Sequence, residues 1–319
     1  MLTIAFILSF VICFLLTSIG IYYLKKRKLG QAIRKEGPER HKIKSGTPNI
    51  GGVFIILSVI ISFIVISLVY KININYELIF MLFMPLICYG TLGFLDDYLK
   101  AKKKTNDGIS PSFKMLFQII WAVLYFIIFL NYETSVINIF GYNVDLKWFY
   151  GVFILFLFVS SSNAFNLCDG LDGLASGMAI IIFIALLLLS KNDIVSLFVV
   201  LIIAALLCFW VFNVHPASIF MGDSGSLALG ATIANLCIIL KVEFLLVIFG
   251  LMMILETLSV IIQVIYFKIS KGKRIFLMTP IHHHFELKGI KEEKISIGFW
   301  ICEVICVIIG LLLYKALWW

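Results

Sequence analysis

Acidic and amide residues in this chain fall into a few dense groups, each of a kind that handles phosphate and metal. GFLDDYLK (93–100) carries Asp96 and Asp97, with Lys100 one turn beyond. Adjacent helical positions point about 100° apart, so the pair alone makes a poor chelate, but one member can face a cleft. The alternative is a salt-bridged helix end. At the end of a helix the dipole disfavours carboxylates, which tilts the reading toward function.

SSNAFNLCDGLDGLA (161–175) sets Asp169 and Asp172 among glycines, with the amides of Asn163 and Asn166 just before them. Gly170 and Gly173 allow backbone shapes that other residues resist, and Asp-Gly-Leu171-Asp-Gly suits a cation or sugar hydroxyls. The spacing is not that of an EF-hand. Either aspartate could instead cap the helix that follows. FNVHPASIFMGDSGS (212–226) brings Asn213, Phe220 and Asp223 to another helix start. Free N–H groups there suit phosphate. Asp223 is well placed to hold Mg²⁺, a hard ion that takes one or two carboxylates plus substrate phosphates. Phe220 either stacks on a base or is simply buried.

PIHHHFELKG (280–289) holds His282, His283 and His284. Consecutive side chains diverge, so a three-histidine zinc site is disfavoured, and imidazoles between basic residues suit phosphate oxygens. A fifth motif, HKIKSGTPNIGG (41–52), includes Lys44. Together these groups imply phosphoryl transfer between a lipid phosphate and an anionic co-substrate.

The elements that must position them are membrane helices. The 319 residues are 62% hydrophobic and 14% charged, against roughly 45–50% and 25% in soluble domains. A span needs about 20 apolar residues, and ten runs qualify: about 2–24, 50–70, 78–98, 112–131, 147–164, 173–190, 194–213, 224–240, 244–267 and 296–316. The reading is a single all-α integral membrane domain over 1–319. The first run exceeds a signal peptide's apolar core and is followed, not preceded, by its basic cluster, so it is read as a retained span. The seven cysteines lie mostly in apolar runs without CxxC pairs, as small buried hydrophobes do.

Of 26 Lys and Arg residues, 21 fall on one set of alternate loops. By the positive-inside rule that set is cytoplasmic and both termini are extracytoplasmic. All five motifs then open on the cytoplasmic face as one cleft, and Cys168 is expected there in an aqueous site. The net charge of +8 reflects this topology and attraction to anionic lipid, not nucleic-acid binding. A transporter of anionic solutes would carry charge near the midplane and internal repeats. Neither is visible here.

At these motifs the chain resembles the polyprenyl-phosphate N-acetylhexosamine-1-phosphate transferases. KxGTPxxGG (44–52), LDDYxK (95–100), NxxDGLDGLA (166–175), FNxxPAxxFMGDxGSLALG (212–230) and PIHHHFExKG (280–289) occur in the family's order. HHHFE is the form of the muramoyl-pentapeptide branch, the alternative being the branch that transfers GlcNAc-1-phosphate. Asn49, Cys168 and Ser224 replace the usual Thr without removing a charge.

The resemblance implies transfer of phospho-N-acetylmuramoyl-pentapeptide from its UDP conjugate to undecaprenyl phosphate, with Mg²⁺. It implies a bacterial inner-membrane enzyme that tends to dimerise. Carried over by motif, Asp223 is the metal ligand, and Asp96 and Asp97 are catalytic or handle the lipid phosphate. Asp169, Gly170, Leu171, Asp172, Asn213 and Phe220 line the nucleotide region. Lys44, Lys100, His282 and His283 contact phosphate or sugar. A phosphate monoester's second pKa is about 6, so a general base has little to add, and direct attack is favoured over an aspartyl-phosphate.

Overall fold

The computed structural model describes residues 1–27, 46–103, 107–139 and 141–317. Lys44 lies outside them. The described chain is helical apart from one hairpin: α1 (Leu2–Lys26), α2 (Gly52–Val69), α3 (Tyr76–Lys103), α4 (Pro111–Tyr132), β1 (Val136–Ile139), β2 (Tyr142–Asp145), α5 (Phe149–Cys168), α6 (Leu174–Leu189), α7 (Asp193–Asn213), α8 (Gly222–Ile239), α9 (Leu245–Phe249), α10 (Leu251–Ile269), α11 (Ile281–Leu287) and α12 (Glu292–Leu317).

Nine of these helices are long and apolar enough to cross a membrane, among the described residues. The remaining expected span, the sixth in chain order, is α6, with 16 residues. At about 1.5 Å per residue it reaches only about 24 Å. It is packed against α7, α8 and α12 and buried along most of its length. The expected ninth run is divided at Gly250 into α9 and α10. Apolar composition continues through that break, so hydropathy does not register it.

Local chemistry fixes several boundaries. Ser110 caps α4 by accepting the Phe113 N–H, with Pro111 in the first turn, where its missing N–H costs nothing. Asn192 accepts the Ile194 and Val195 N–H groups at the start of α7. The hairpin pairs Val136 with Asp145 and Ile139 with Tyr142, antiparallel.

At the centre lies α8, contacted by α2, α3, α5, α6 and α9 and buried almost throughout. Around it, α1 and α12 turn much of their surface outward, with Ile4, Ile7, Leu15, Ile301 and Leu312 exposed. Apolar side chains facing outward are what a bilayer-immersed bundle requires. The segment before α2 is laced to the one before α8: Phe220 N–H donates to Pro48 O (2.8 Å), Gly51 N–H to Phe220 O (2.9 Å) and Gly52 N–H to Met221 O (2.9 Å). Two motifs far apart in sequence thus form one turn.

Candidate active site

The centre of charge joins three helices. On α3, Lys100 Nζ lies 2.5 Å from Asp96 Oδ2, one turn apart, and 3.0 Å from Asp223 Oδ2 at the start of α8. From the first turn of α4, Lys114 Nζ reaches the same two oxygens, at 2.9 Å and 3.0 Å. The other oxygen of Asp223 accepts from Asn166 Nδ2 (2.9 Å), which also reaches Ser226 Oγ (2.7 Å). Asp96 is fully buried, and its Oδ1 accepts the Ile109 N–H (2.6 Å), tying down the link to α4. Two carboxylates and two ammoniums make a neutral group. Charge of that kind, partly removed from water, is held by mutual pairing.

Asp97 has a different setting. Its Oδ1 accepts the Asp223 N–H (3.1 Å) and its Oδ2 the Ser224 N–H (2.9 Å). No side chain of α8's own segment caps that helix, so α3 supplies the cap. The apolar run that ends at residue 98 predicts the aspartate pair at the helix end. In fact α3 runs on to Lys103, and both side chains are enclosed between helices, at 0% and 2% exposure. The approach is close because Gly93 lies against the Asp223 and Ser224 backbone, where a Cβ would collide.

Asp172 anchors a second group. Its Oδ2 accepts the Ala217 N–H (3.0 Å) and bonds His215 Nδ1 (3.0 Å). Its own N–H donates to Glu292 Oε1 (2.6 Å), and Ser296 Oγ donates to its carbonyl (3.2 Å). Asp169 is half-buried at the C-terminus of α5. Gly170 rests against the imidazole of His282.

Each histidine of the HHH run has its own partner. His282 is fully buried, with Nδ1 3.0 Å from Glu256 Oε1 of α10. His283 Nδ1 meets Glu286 Oε2 (3.1 Å). His284 Nδ1 accepts the Leu277 N–H (3.1 Å). Burial, with Lys288 nearby, holds its imidazole below the ordinary histidine value, consistent with a neutral acceptor. His282 is the enclosed member of the run, and its Nε2 has no hydrogen-bond partner among the described residues.

The remaining expected residues are spread more widely. Asn213 is buried and engaged at both ends, accepting Ser176 Oγ–H (2.8 Å) and donating to Ile219 O (3.0 Å). Asn163 is exposed and donates to Gln118 Oε1 (3.2 Å) and Val159 O (2.7 Å). Leu171 is a core side chain, and Phe220 is half-buried, its backbone joining the turn with Pro48 and Gly51. Cys168 is fully buried, its thiol donating to Ala164 O, which corrects the expected aqueous setting.

Lys114, Ser226, His215, Glu256 and Glu292 were not singled out from sequence. Lys114 lies in an apolar run outside every motif. Glu256 could have been found, since a lone acid within an apolar span is itself a functional signal.

Two places among the described residues offer ligands for a cation. Asp172, His215 and Glu292 bring ligand atoms within 4.8 Å of one another. That mixed set suits a transition metal better than Mg²⁺, and His215 already bonds the Asp172 carboxylate while Glu292 accepts the Asp172 N–H. Asp223, with Asp96 beside it, presents oxygens alone and already holds positive charge. That donor chemistry fits Mg²⁺.

Residues 78–241 match the family described as glycosyl transferase family 4. Over 318 residues the chain is 46% identical to phospho-N-acetylmuramoyl-pentapeptide-transferase of Bacillus subtilis (strain 168), covering 98% of this chain and 97% of the relative. It is 44% identical over 316 residues to the protein of that name from Oceanobacillus iheyensis, covering 97% and 96%. The Listeria monocytogenes protein of that name is 45% identical over 305 residues, covering 92% and 93%.

Proposed function

The chain belongs to the phospho-N-acetylmuramoyl-pentapeptide-transferase family, and from that premise we propose that it makes lipid I. Undecaprenyl phosphate attacks the β-phosphorus of UDP-N-acetylmuramoyl-pentapeptide, giving undecaprenyl-pyrophosphoryl-N-acetylmuramoyl-pentapeptide and UMP. The observation that carries this reading is identity along nearly the whole length of relatives bearing that one name.

The chain's own residues supply positioning and charge. Lys100 and Lys114 provide two ammoniums at the mouth of α8 for phosphoryl oxygens. Asn166 orients the Asp223 carboxylate, and Asp97 holds the α8 start on which Asp223 rides. His282, fixed by Glu256, supports the Asp169–Gly170 turn beneath the nucleotide. The lipid phosphate, with a second pKa of about 6, is mostly dianionic at neutral pH. No side chain need take its proton, and in-line attack with electrostatic stabilisation accounts for the rate.

Asp223, with Asp96 beside it, would hold the Mg²⁺ of this reaction. When bound, the ion would neutralise charge on the leaving UMP. The site belongs on the cytoplasmic face of the inner membrane, where the UDP conjugate is found, and the protein is expected to act as a homodimer.

Purified enzyme in detergent with undecaprenyl phosphate should release UMP from UDP-N-acetylmuramoyl-pentapeptide and not from UDP-GlcNAc. Release from UDP-GlcNAc alone would move the chain to the other branch.

A further inference from the structure

Two ammonium groups stand between carboxylates from different helices. Lys100 Nζ and Lys114 Nζ both converge on Asp96 Oδ2 and Asp223 Oδ2, at 2.5–3.0 Å. The lysine side chains are only 28% and 24% exposed and Asp96 not at all, so solvent screens the group weakly. The inference drawn below rests on the reading of Asp223 as a ligand for a divalent cation. A dication arriving beside two ammoniums in such a setting is repelled by both. Ammonium and dication therefore compete for one carboxylate oxygen.

The two lysines are not equivalent in this competition. Lys100 is tied to Asp96 within one helix, as an i,i+4 pair on α3, whereas Lys114 reaches the same Asp96 oxygen from another helix. Lys114 comes from α4, four residues beyond its cap Ser110. Its flexible four-carbon stem can swing away without moving α3 or α8. We propose that Lys114 is a cation placeholder. Its ammonium joins Asp96 to Asp223 while no divalent ion is bound, and yields Asp223 to the incoming ion. The freed ammonium then pairs with a phosphate oxygen of the arriving substrate. One charge serves two partners in turn, so divalent ion and phosphate strengthen each other's binding, as reciprocal linkage requires.

Mn²⁺ binding to the purified full-length protein in detergent, followed by electron paramagnetic resonance without either substrate, tests this. Lys114→Met and Lys114→Gln should bind Mn²⁺ about ten-fold tighter than wild type, a conservative share of one removed charge competition. Lys114→Arg, which keeps the charge, should stay within about two-fold of wild type. Added UMP should tighten Mn²⁺ binding in wild type and do so less in Lys114→Met. Unchanged or weakened Mn²⁺ affinity in both neutral variants overturns the placeholder. Asp223→Asn separates the two ideas. If it binds Mn²⁺ as wild type does, or if wild type binds none, the metal reading of Asp223 fails and the placeholder falls with it. If Asp223→Asn loses Mn²⁺ while the neutral variants match wild type, only the placeholder is wrong.

Discussion

Asp97 accepts the amides of both Asp223 and Ser224, so an α3 side chain does for α8 what a capping residue normally does from within. Charge-assisted bonds to buried amides are worth roughly 1.5–3 kcal/mol each. Asparagine keeps one acceptor but turns an NH₂ toward the second amide. Asp97→Asn should therefore lower the thermal midpoint in detergent and reduce UMP release together. A lost rate at an unchanged midpoint would mean that Asp97 acts in chemistry rather than by holding Asp223. At Asp223 itself the neighbours differ, because two ammoniums and an amide already satisfy it. Asp223→Asn leaves Lys100 and Lys114 with Asp96 as partner, so folding should persist. UMP release should vanish at physiological Mg²⁺, any residue of it requiring far more Mg²⁺ or Mn²⁺. An unchanged Mg²⁺ dependence would move the metal elsewhere, with Asp172 and its neighbours next to be tested.

Between elements, the tightest joint is α3 against α8. A Cβ at Gly93 would strike the Asp223 carbonyl and the Ser224 amide nitrogen, both backbone atoms that cannot swing aside. Overpacking of this kind costs typically 1–3 kcal/mol, so Gly93→Ala should destabilise the protein and displace Asp223. A Gly93→Ala variant with wild-type UMP release would show that the joint yields harmlessly. At the opposite end of the bundle, the α8–α9 link clamps the hairpin. Tyr150 Oη–H donates to Glu243 Oε1 (2.5 Å), and Lys241 Nζ donates to Thr134 O (2.6 Å) near Glu133 and over the Phe129 and Tyr150 rings. Burial pushes Glu243 above the ordinary carboxylate value, against the pull of Tyr150 and Lys241, and burial pushes Lys241 down. An acid raised on folding contributes its full stability below the unfolded value of about 4.3. That contribution is lost as pH rises through the raised value. Glu243→Gln should therefore melt higher than wild type at pH 8, with the gap closing toward pH 4. An equal gap at both pH values would assign the effect to packing. These features also mark what sequence could show of the elements. Ten apolar runs stand out because a bilayer demands about 20 residues each. The hairpin has only four residues per strand and lies inside a polar link, α11 has seven residues built around three histidines, and neither is long enough for a periodicity to emerge. Motif residues were legible because acids and glycines are conspicuous in an apolar chain. Lys114 was not, since only the packing of α4 against α3 brings it to Asp223.

For the molecule as a whole, contacts alone bring the polar motifs to one end of the bundle. Asp223 meets Lys100 and Lys114 there, Asp172 meets Glu292, and Gly170 meets His282. Which compartment that end faces is a separate question, and the proposal that it is the cytoplasm rests on the charge asymmetry of 21 Lys and Arg against 5 under the positive-inside rule. Cys168 cannot report on this, being fully buried, and should resist thiol reagents from either side. Lys102, exposed near the end of α3, and Asn143, exposed in β2, are better positions. In intact cells an impermeant maleimide should label Asn143→Cys and spare Lys102→Cys, while inverted vesicles should reverse the pattern. Labelling of Lys102→Cys from outside would transfer the entire site to the other compartment as one unit. The direct bonds among α3, α4, α5 and α8 hold their motifs together as one unit, and a site facing away from the UDP conjugate would have no substrate.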